Sequence, residues 1–457
     1  MYLPKTEKTG IHFFKFYLLE DESMKKYGIA VMIILLAGMM LFVGCSKKEA
    51  APAASAAGGP VTVTVWCWDP AFNLYAINEA AKIYKNINPN VTINCVEVAW
   101  DDIQQRLITA FTARQYNDLP DIILMQDNAI QKNVMTYPDR FLPVNDGVNL
   151  SQFAQYKLNF GKYNGKNYGV PFDNGASGFF LRKDIVEQAG LKIEDFQNLT
   201  WERFIELGGQ IKQRTGISLI STQQGSPDLI MQMLQSSNTW FFDDQGKTYI
   251  KDNPVLKRAM ELLSAGLRNG AILEVADWNS YVGSLNGGTA AGTVQGAWAV
   301  GFISAETSQS GKWVIVNPPR IGSISASVNY SSQGGSGWMV LANSRNPAAA
   351  MDFLDKTFAG SVEFYATILQ ASGAIATWLP ATSSSVYSEP HPFFGGQKIF
   401  VDLLDYASKV PLVQYGVYNY EARAAVARNL PDVIAGRMSV DAALDAAQKE
   451  VDFLLNQ

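Results

Sequence analysis

The stretch that decides the fold is YNGKNYGVPFDNGASGFFLRKDIVEQAGL, residues 163–191. Asn164-Gly165 is a turn dipeptide joining two short strands. Residues 171–178 form an extended, glycine-containing passage. Residues 179–181 read as a further strand, and 183–189 as a helix closed by Gly190 at its C-cap. An extended, turn-capable passage between two packed regions is what a hinge requires. The chain therefore reads as two folded bodies joined by a crossing.

Upstream, VTVTVWCW (61–68) alternates Val61, Val63, Val65 and Cys67 with Thr62, Thr64, Trp66 and Trp68, the period of a strand. Leu74, Ile77, Ala81 and Tyr84 give a helix over 74–86. A second strand, VTINCVEV (91–98), precedes a helix with an N-cap at Asp101 and a stripe of Ile103, Leu107, Ile108 and Phe111. A third strand, DIILM (121–125), runs into Gln126, Asp127 and Asn128. Strand and helix alternating within so short a span predict a parallel sheet with helices on both faces. Ligands of such sheets sit at the carboxyl ends of the strands, which singles out Trp66, Trp68 and Asp69 and then Gln126, Asp127 and Asn128. Trp68 and Asp69 serve equally well as turn residues.

Downstream, Thr200 caps a helix starting at Trp201. NGGTAAGTVQGAWAVGFIS (286–304) ends an apolar strand at Gly296-Ala297-Trp298, and SSQGGSGWMVL (331–341) sets a glycine run before another strand, a second candidate crossing. SVDAALDAAQKEVDFLL (439–455) is an amphipathic helix. No internal repeat is visible.

With 457 residues, 47% of them hydrophobic, two or three domains fit the chain. Charged residues make up only 17% and the net charge is −5, which leaves no basic field for nucleic acid. Two histidines and three cysteines are too few for zinc sites or Cys/His nucleophiles. Near the N-terminus, YGIAVMIILLAGMMLFV (27–43) follows Lys25 and Lys26, the pattern of an export signal whose true start is expected at Met24. LFVGC (41–45) resembles a bacterial lipobox, with Phe42 in place of the usual Leu. That makes Cys45 a lipidation site and residues 1–44 the signal region. SKKEAAPAASAAGGP (46–60) then reads, with Cys45, as a lipidated anchor and flexible tether. Cys67 and Cys95 fall on adjacent strands, where free thiols are expected over a disulfide.

Taken in order, these segments resemble family 1 extracellular solute-binding proteins of ABC importers, the maltose and multiple-sugar type. The resemblance runs through VTVTVWCW (61–68), LPDIILM (119–125), NGKNYGVPFDNGASGFFLRKDIVEQAGL (164–191), GTVQGAWAV (292–300), GGSGWMVLANSRNPAAAMDFLDKT (334–357) and LPDVIAGRMSVDAALDAAQKEVDFLL (430–455). It implies an α/β, two-lobe periplasmic-binding-protein-like (type II) fold, each lobe a mostly parallel sheet flanked by helices, joined by a hinge. Lobe I would take 61–172 plus 334–358, and lobe II 173–333 plus 359–457. It also implies an exported, membrane-anchored monomer that captures a carbohydrate and passes it to ABC permease subunits, without cofactor, metal or catalysis. Carried over position by position, the ligand contacts are Trp66, Trp68, Asp69, Gln126, Asp127, Asn128, Asp173, Asn174, Trp298, Gly335, Ser336 and Trp338. Trp240, Trp278, Trp378 and Tyr418 join them as lesser candidates.

These residue types suit a sugar. Indole faces bury the C–H face of a pyranose, while carboxylates and amides pair with its hydroxyls. Four or five of the ten tryptophans are expected to serve packing alone, and Asp173-Asn174-Gly175 is a sound turn without a ligand. The same fold binding a polyol or sugar phosphate, or acting as a ligand-presenting sensor, is the alternative. A surface glycosidase would need a carboxylate pair that no spacing here marks.

Overall fold

Val63 and Val65 bury one face of a strand while Trp66 buries the other, and this two-sided burial sets the first sheet. The structure, a computed structural model, describes residues 59–413 and 415–455; the export signal, Cys45 and most of the tether lie outside the described residues. In chain order the strands are β1 (Val61–Cys67), β2 (Val91–Glu97), β3 (Ile122–Gln126), β4 (Lys162–Tyr163), β5 (Lys166–Asn167), β6 (Val170–Asp173), β7 (Ser177–Arg182), β8 (Ile220–Gln223), β9 (Ile272–Val275), β10 (Gly292–Gly296), β11 (Trp313–Val316) and β12 (Ser336–Val340).

The first sheet has the order β2-β1-β3-β12-β6, with β1 parallel to both β2 and β3 and β12 antiparallel to β3 and β6. Helix Tyr75–Ile87 covers one face through Ala76, Ile77, Ala80 and Tyr84, and helix Trp100–Ala113 covers the other through Ile103, Leu107 and Phe111. Of these, the Ile, Leu and Phe side chains each contribute about 1.5–3 kcal/mol on burial. Two details differ from the sequence reading. Ala99 stands at the N-cap of the second helix, so Asp101 sits in its first turn, where a carboxylate favours the helix dipole. Ile108 is exposed, because the stripe that meets the sheet is narrower than the run of apolar letters.

A second sheet, β10-β7-β11, is antiparallel throughout, and β8-β9 is a separate parallel pair. The parallel order expected of both halves therefore holds only for β1–β3 and β8-β9. The connectivity accounts for the difference. β7 is fed directly from β6 through three residues, with no crossover helix to reverse it, whereas β10 and β11 arrive after helices. Around this sheet Phe179, Leu181, Trp201, Phe204 and Leu256 build a separate core with helices Pro254–Arg268, Asn419–Ile434 and Val440–Leu455. The fold is the two-lobe, mixed α/β type. Helix Val362–Ser372 packs against Tyr75–Ile87 on the first-sheet side.

Between the sheets the chain crosses where the glycines are. Asp173 ends β6 in the first sheet and Ser177 begins β7 in the second. Beside this passage runs 331–335: the amide of Gln333 donates to Gly175 O at 2.7 Å, and that of Ser177 to Ser331 O at 2.9 Å. A Cβ on Gly175 would lie 2.6 Å from the Gly334 carbonyl, so the two crossings can touch only without a side chain there. The Asn164-Gly165 turn joins β4 and β5 as expected.

Candidate functional site

The carboxyl ends of β1, β2 and β3 open onto a cavity of about 820 Å³ that also touches residues packed around the second sheet. From the first-sheet side come Trp68 and Asp69 after β1, Glu97 and Trp100 after β2, and Gln126 and Asn128 after β3. Asp173 and the run 332–336 supply the floor at the crossings. From the other side come Asp228, Gln235, Trp240, Trp278, Gln295 and Trp298, with Tyr415 and Arg423. Five of the ten tryptophans line this space, and the other five (Trp66, Trp201, Trp313, Trp338 and Trp378) are buried in the cores; the number matches the expectation for packing tryptophans, but Trp66, Trp338 and Trp378 were expected at the ligand.

Local bonding fixes each wall. Buried Asn73 accepts from the amides of Trp68 and Asp69, both at 3.0 Å, which pins the turn that presents the indole. Asp69 Oδ1 in turn accepts from the amides of Ala71 and Phe72, a helix cap. Burial raises the Asp69 carboxyl above the ordinary aspartate value against those two bonds. Trp68 packs against Trp100 at 5.3 Å between ring centres. Opposite, Trp278 leans on Trp298 and Phe302, yet keeps 38% of its surface exposed, an open aromatic face. Trp298 Nε1 donates to Gln333 O at 2.9 Å and so ties this wall to the crossing. Gln295 presents a buried Oε1 without a hydrogen-bond partner, and Arg423 pairs with Asp228 at 2.9 Å.

Beneath the floor lies a buried charge cluster. Lys157, only 3% exposed, pairs with Asp127, and Ser336 Oγ donates to Asp173 Oδ1 at 2.5 Å. Burial lifts Asp127 to about 6; the Lys157 ammonium opposes the rise and the Asp173 charge adds to it. Burial likewise raises Asp173, again against Lys157. Gly335, at φ +94°, covers the pair: a Cβ there would lie 2.4 Å from Asp127 Oδ2.

Of the positions expected from sequence, the structure brings Trp68, Asp69, Gln126, Asn128, Asp173, Trp298, Gly335 and Ser336 to the cavity, and with them Trp240 and Trp278. Six do not reach its wall. Trp66 is buried within β1 on the side away from Val65 and Cys67, under the Arg106 guanidinium 5.3 Å away. Trp338 is a fully buried core residue between Phe172 and Phe358. Trp378 packs over Tyr365. Asp127 is turned inward to Lys157. Asn174 Oδ1 accepts from the Ala176 amide at 3.0 Å, the turn reading of that residue. Tyr418 lies under the Lys132 ammonium at 5.6 Å.

Sequence reasoning passed over Glu97 and Trp100, although the same rule about strand ends points at them. Asp228 and Gln235 share the helix Asp228–Ser236, and Tyr415 and Arg423 come from far along the chain; none of them carries a local signature. Cys67 and Cys95 are free thiols with sulfurs 3.5 Å apart. Among the described residues no cluster of His, Cys, Asp and Glu is arranged to hold a metal ion, and no helix is long and apolar enough to cross a membrane.

Residues 79–391 match the family model for bacterial extracellular solute-binding proteins. The lactose-binding protein of Rhizobium radiobacter is 36% identical over 408 residues, covering 89% of this chain and 96% of that one. Among solved structures, the binding protein of a Bifidobacterium animalis subsp. lactis ABC transporter, in complex with β-1,6-galactobiose, superposes with a TM-score of 0.74 at 20% identity, over 87% of this chain and 98% of that one. The GacH receptor of Streptomyces glaucescens, solved unliganded and with acarbose, gives 0.74 at 17% identity, over 87% and 99%.

Proposed function

The chain belongs to the bacterial extracellular solute-binding proteins, and from that premise we propose that it captures a sugar or oligosaccharide and delivers it to the permease of an ABC importer. The observation that carries this reading is the cavity with five tryptophans drawn from both sides and amides and carboxylates between them. Trp68 and Trp100 on one side and Trp278 and Trp298 on the other offer flat faces to the C–H surfaces of pyranose rings. Burying such an apolar face is worth about 1.5–3 kcal/mol where it is complete. Gln126, Asn128, Gln295 and Asp173 offer hydrogen bonds to hydroxyls, about 1.5–3 kcal/mol where the partner is charged. At about 820 Å³ the space is at the large end for a small-molecule pocket and has room for more than one ring.

Because solute touches both walls only when the lobes approach, it binds the closed state better and shifts the population toward it. The closed form is what a permease can discriminate, and no bond in the solute need break. In this reading the lobes divide at the crossings 173–177 and 331–336, and the protein is a monomer held to the membrane through a lipid on Cys45. The lactose-binding relative supports a galactoside among the ligands. Calorimetry with lactose, β-1,6-galactobiose and maltose tests this: micromolar or tighter binding of at least one, with unchanged sugar recovered afterwards, is expected. Absence of binding across mono-, di- and oligosaccharides, or hydrolysis of a bound glycoside, overturns it.

A further inference from the structure

The helix Asn419–Ile434 is rooted in one core and reaches into the other. Ala422, Ala425, Val426, Leu430 and Val433 bury it in the core around the second sheet. Its first turn points elsewhere. The Tyr420 ring packs against the core behind β1–β3, 6.4 Å from Trp100. Its hydroxyl lies 2.7 Å from Gln126 Oε1 and 2.9 Å from Asn128 Oδ1. One residue on, Glu421 pairs with Lys132. Asn128 and Lys132 stand one turn apart on helix Asp127–Thr136, so they share a face, and consecutive residues of the opposing helix meet both.

We propose that Tyr420 and Glu421 form a solute-independent latch between the lobes, and that Tyr420 positions the Gln126 and Asn128 amides for the solute; the proposal rests on reading the cavity as a solute site between lobes. The positioning half follows from the chemistry of the hydroxyl. A phenol carries one proton, so it cannot donate fully to two amide oxygens at once. One amide accepts from it while the other turns its NH2 toward the phenol oxygen or leaves it, and this sets which edge each amide shows the cavity. The latch half follows from where the groups lie. Lys132, Tyr420 and Glu421 are not among the cavity-lining residues, so what they contribute to capture acts through lobe approach and amide orientation. Lys132 and Glu421 remain partly exposed, and Glu421 Oε2 is buried without a partner. A half-satisfied carboxylate holds weakly and releases readily into water, as suits a contact that must open on delivery.

The consequence is quantitative. When only a fraction of the free protein is closed, the apparent dissociation constant rises in inverse proportion to that fraction. Losing one such hydrogen bond or ion pair should lower the closed fraction, and with it the affinity, about three- to tenfold. The test uses the full chain in detergent, as wild type, Tyr420→Phe, Glu421→Gln and the charge swap Lys132→Glu/Glu421→Lys. Förster transfer between dyes at Lys82 and Lys449 reports lobe separation without sugar, calorimetry with lactose reports affinity, and urea unfolding reports stability. The latch predicts that both single variants open the sugar-free protein and weaken lactose about three- to tenfold at an unchanged unfolding midpoint. It also predicts that the swap restores closure and affinity. Single variants that keep the wild-type distance and affinity overturn it, as does a Glu421→Gln protein that binds lactose more weakly without any opening. Wild type that binds no sugar refutes the proposed function instead, while the sugar-free distances still decide the latch.

Discussion

Replacing Asp127 by asparagine should remove a pH dependence whose sign runs against intuition for an ion pair. Asp127 is buried beside Lys157 below Gly335, and burial lifts its carboxyl from the ordinary aspartate value of 3.8 to about 6 despite that lysine. An acid whose folded value is raised binds its proton more tightly in the folded than in the unfolded chain. Its contribution to stability is therefore complete below about pH 4 and is lost as pH rises to about 6, some ~3 kcal/mol at ~1.4 kcal/mol per pH step. Lys157 weakens the effect without cancelling it, which agrees with the rule that a buried pair need not repay its desolvation. Urea unfolding of wild type and Asp127→Asn at pH 4, 5, 6 and 7 isolates the term as a difference. Wild type should lose up to about 3 kcal/mol relative to the variant across that range. In Lys157→Met the two carboxyls face each other unopposed, so the loss should continue above pH 6 and reach about 3–5 kcal/mol below wild type at pH 8. A difference between wild type and Asp127→Asn that is flat, or that grows in favour of wild type between pH 4 and 6, refutes the reasoning.

Trp68→Ala and Trp298→Ala should each weaken sugar binding by about 1.5–3 kcal/mol, measured by calorimetry, since each removes a large apolar face from the cavity. Trp338→Ala should instead cost about 3–5 kcal/mol of stability in urea, because its indole is fully buried against Phe172 and Phe358, and should leave the affinity of the folded fraction near wild type. Gly335→Ala combines a φ of +94° with a Cβ 2.4 Å from Asp127 Oδ2, and should lower stability by about 1–3 kcal/mol; a neutral result by thermal unfolding would show that the crossing relaxes.

Residues 163–191 were legible because hinge chemistry is local: an Asn-Gly turn, a Pro, and glycines where two crossings touch leave their mark within a few positions. The alternation over 61–68 is local in the same way, and it placed Trp66 and Trp68 together on the side of β1 away from Val63, Val65 and Cys67 before any contact was known. Trp66 nevertheless stays off the cavity wall, because it stands inside β1 beneath helix Trp100–Ala113, whereas Trp68 lies past the strand end at Cys67, in the turn that Asn73 holds. Trp338 failed likewise: its place after the glycine run suggested the cavity, but in β12 it alternates with Gly337 and turns into the core. The second wall was illegible for a different reason. Asp228 and Arg423 meet at 2.9 Å across 195 positions, and no local pattern encodes such a pairing.

This division bears on function. The first-sheet wall is built from strand ends, which the sheet fixes rigidly, so its residues can be read from periodicity. The opposing wall is built from helices and loops of several segments, and its groups meet the first wall across the chain crossings, as where Trp298 bonds Gln333. Discrimination among solutes should then reside mainly in that second wall. Exchanging the aromatic and polar groups at Trp240, Trp278 and Gln295 should reorder affinities within a sugar panel, whereas substitutions at Trp68 or Gln126 should weaken all members together. A panel whose order changes only with the strand-end residues would reverse that assignment.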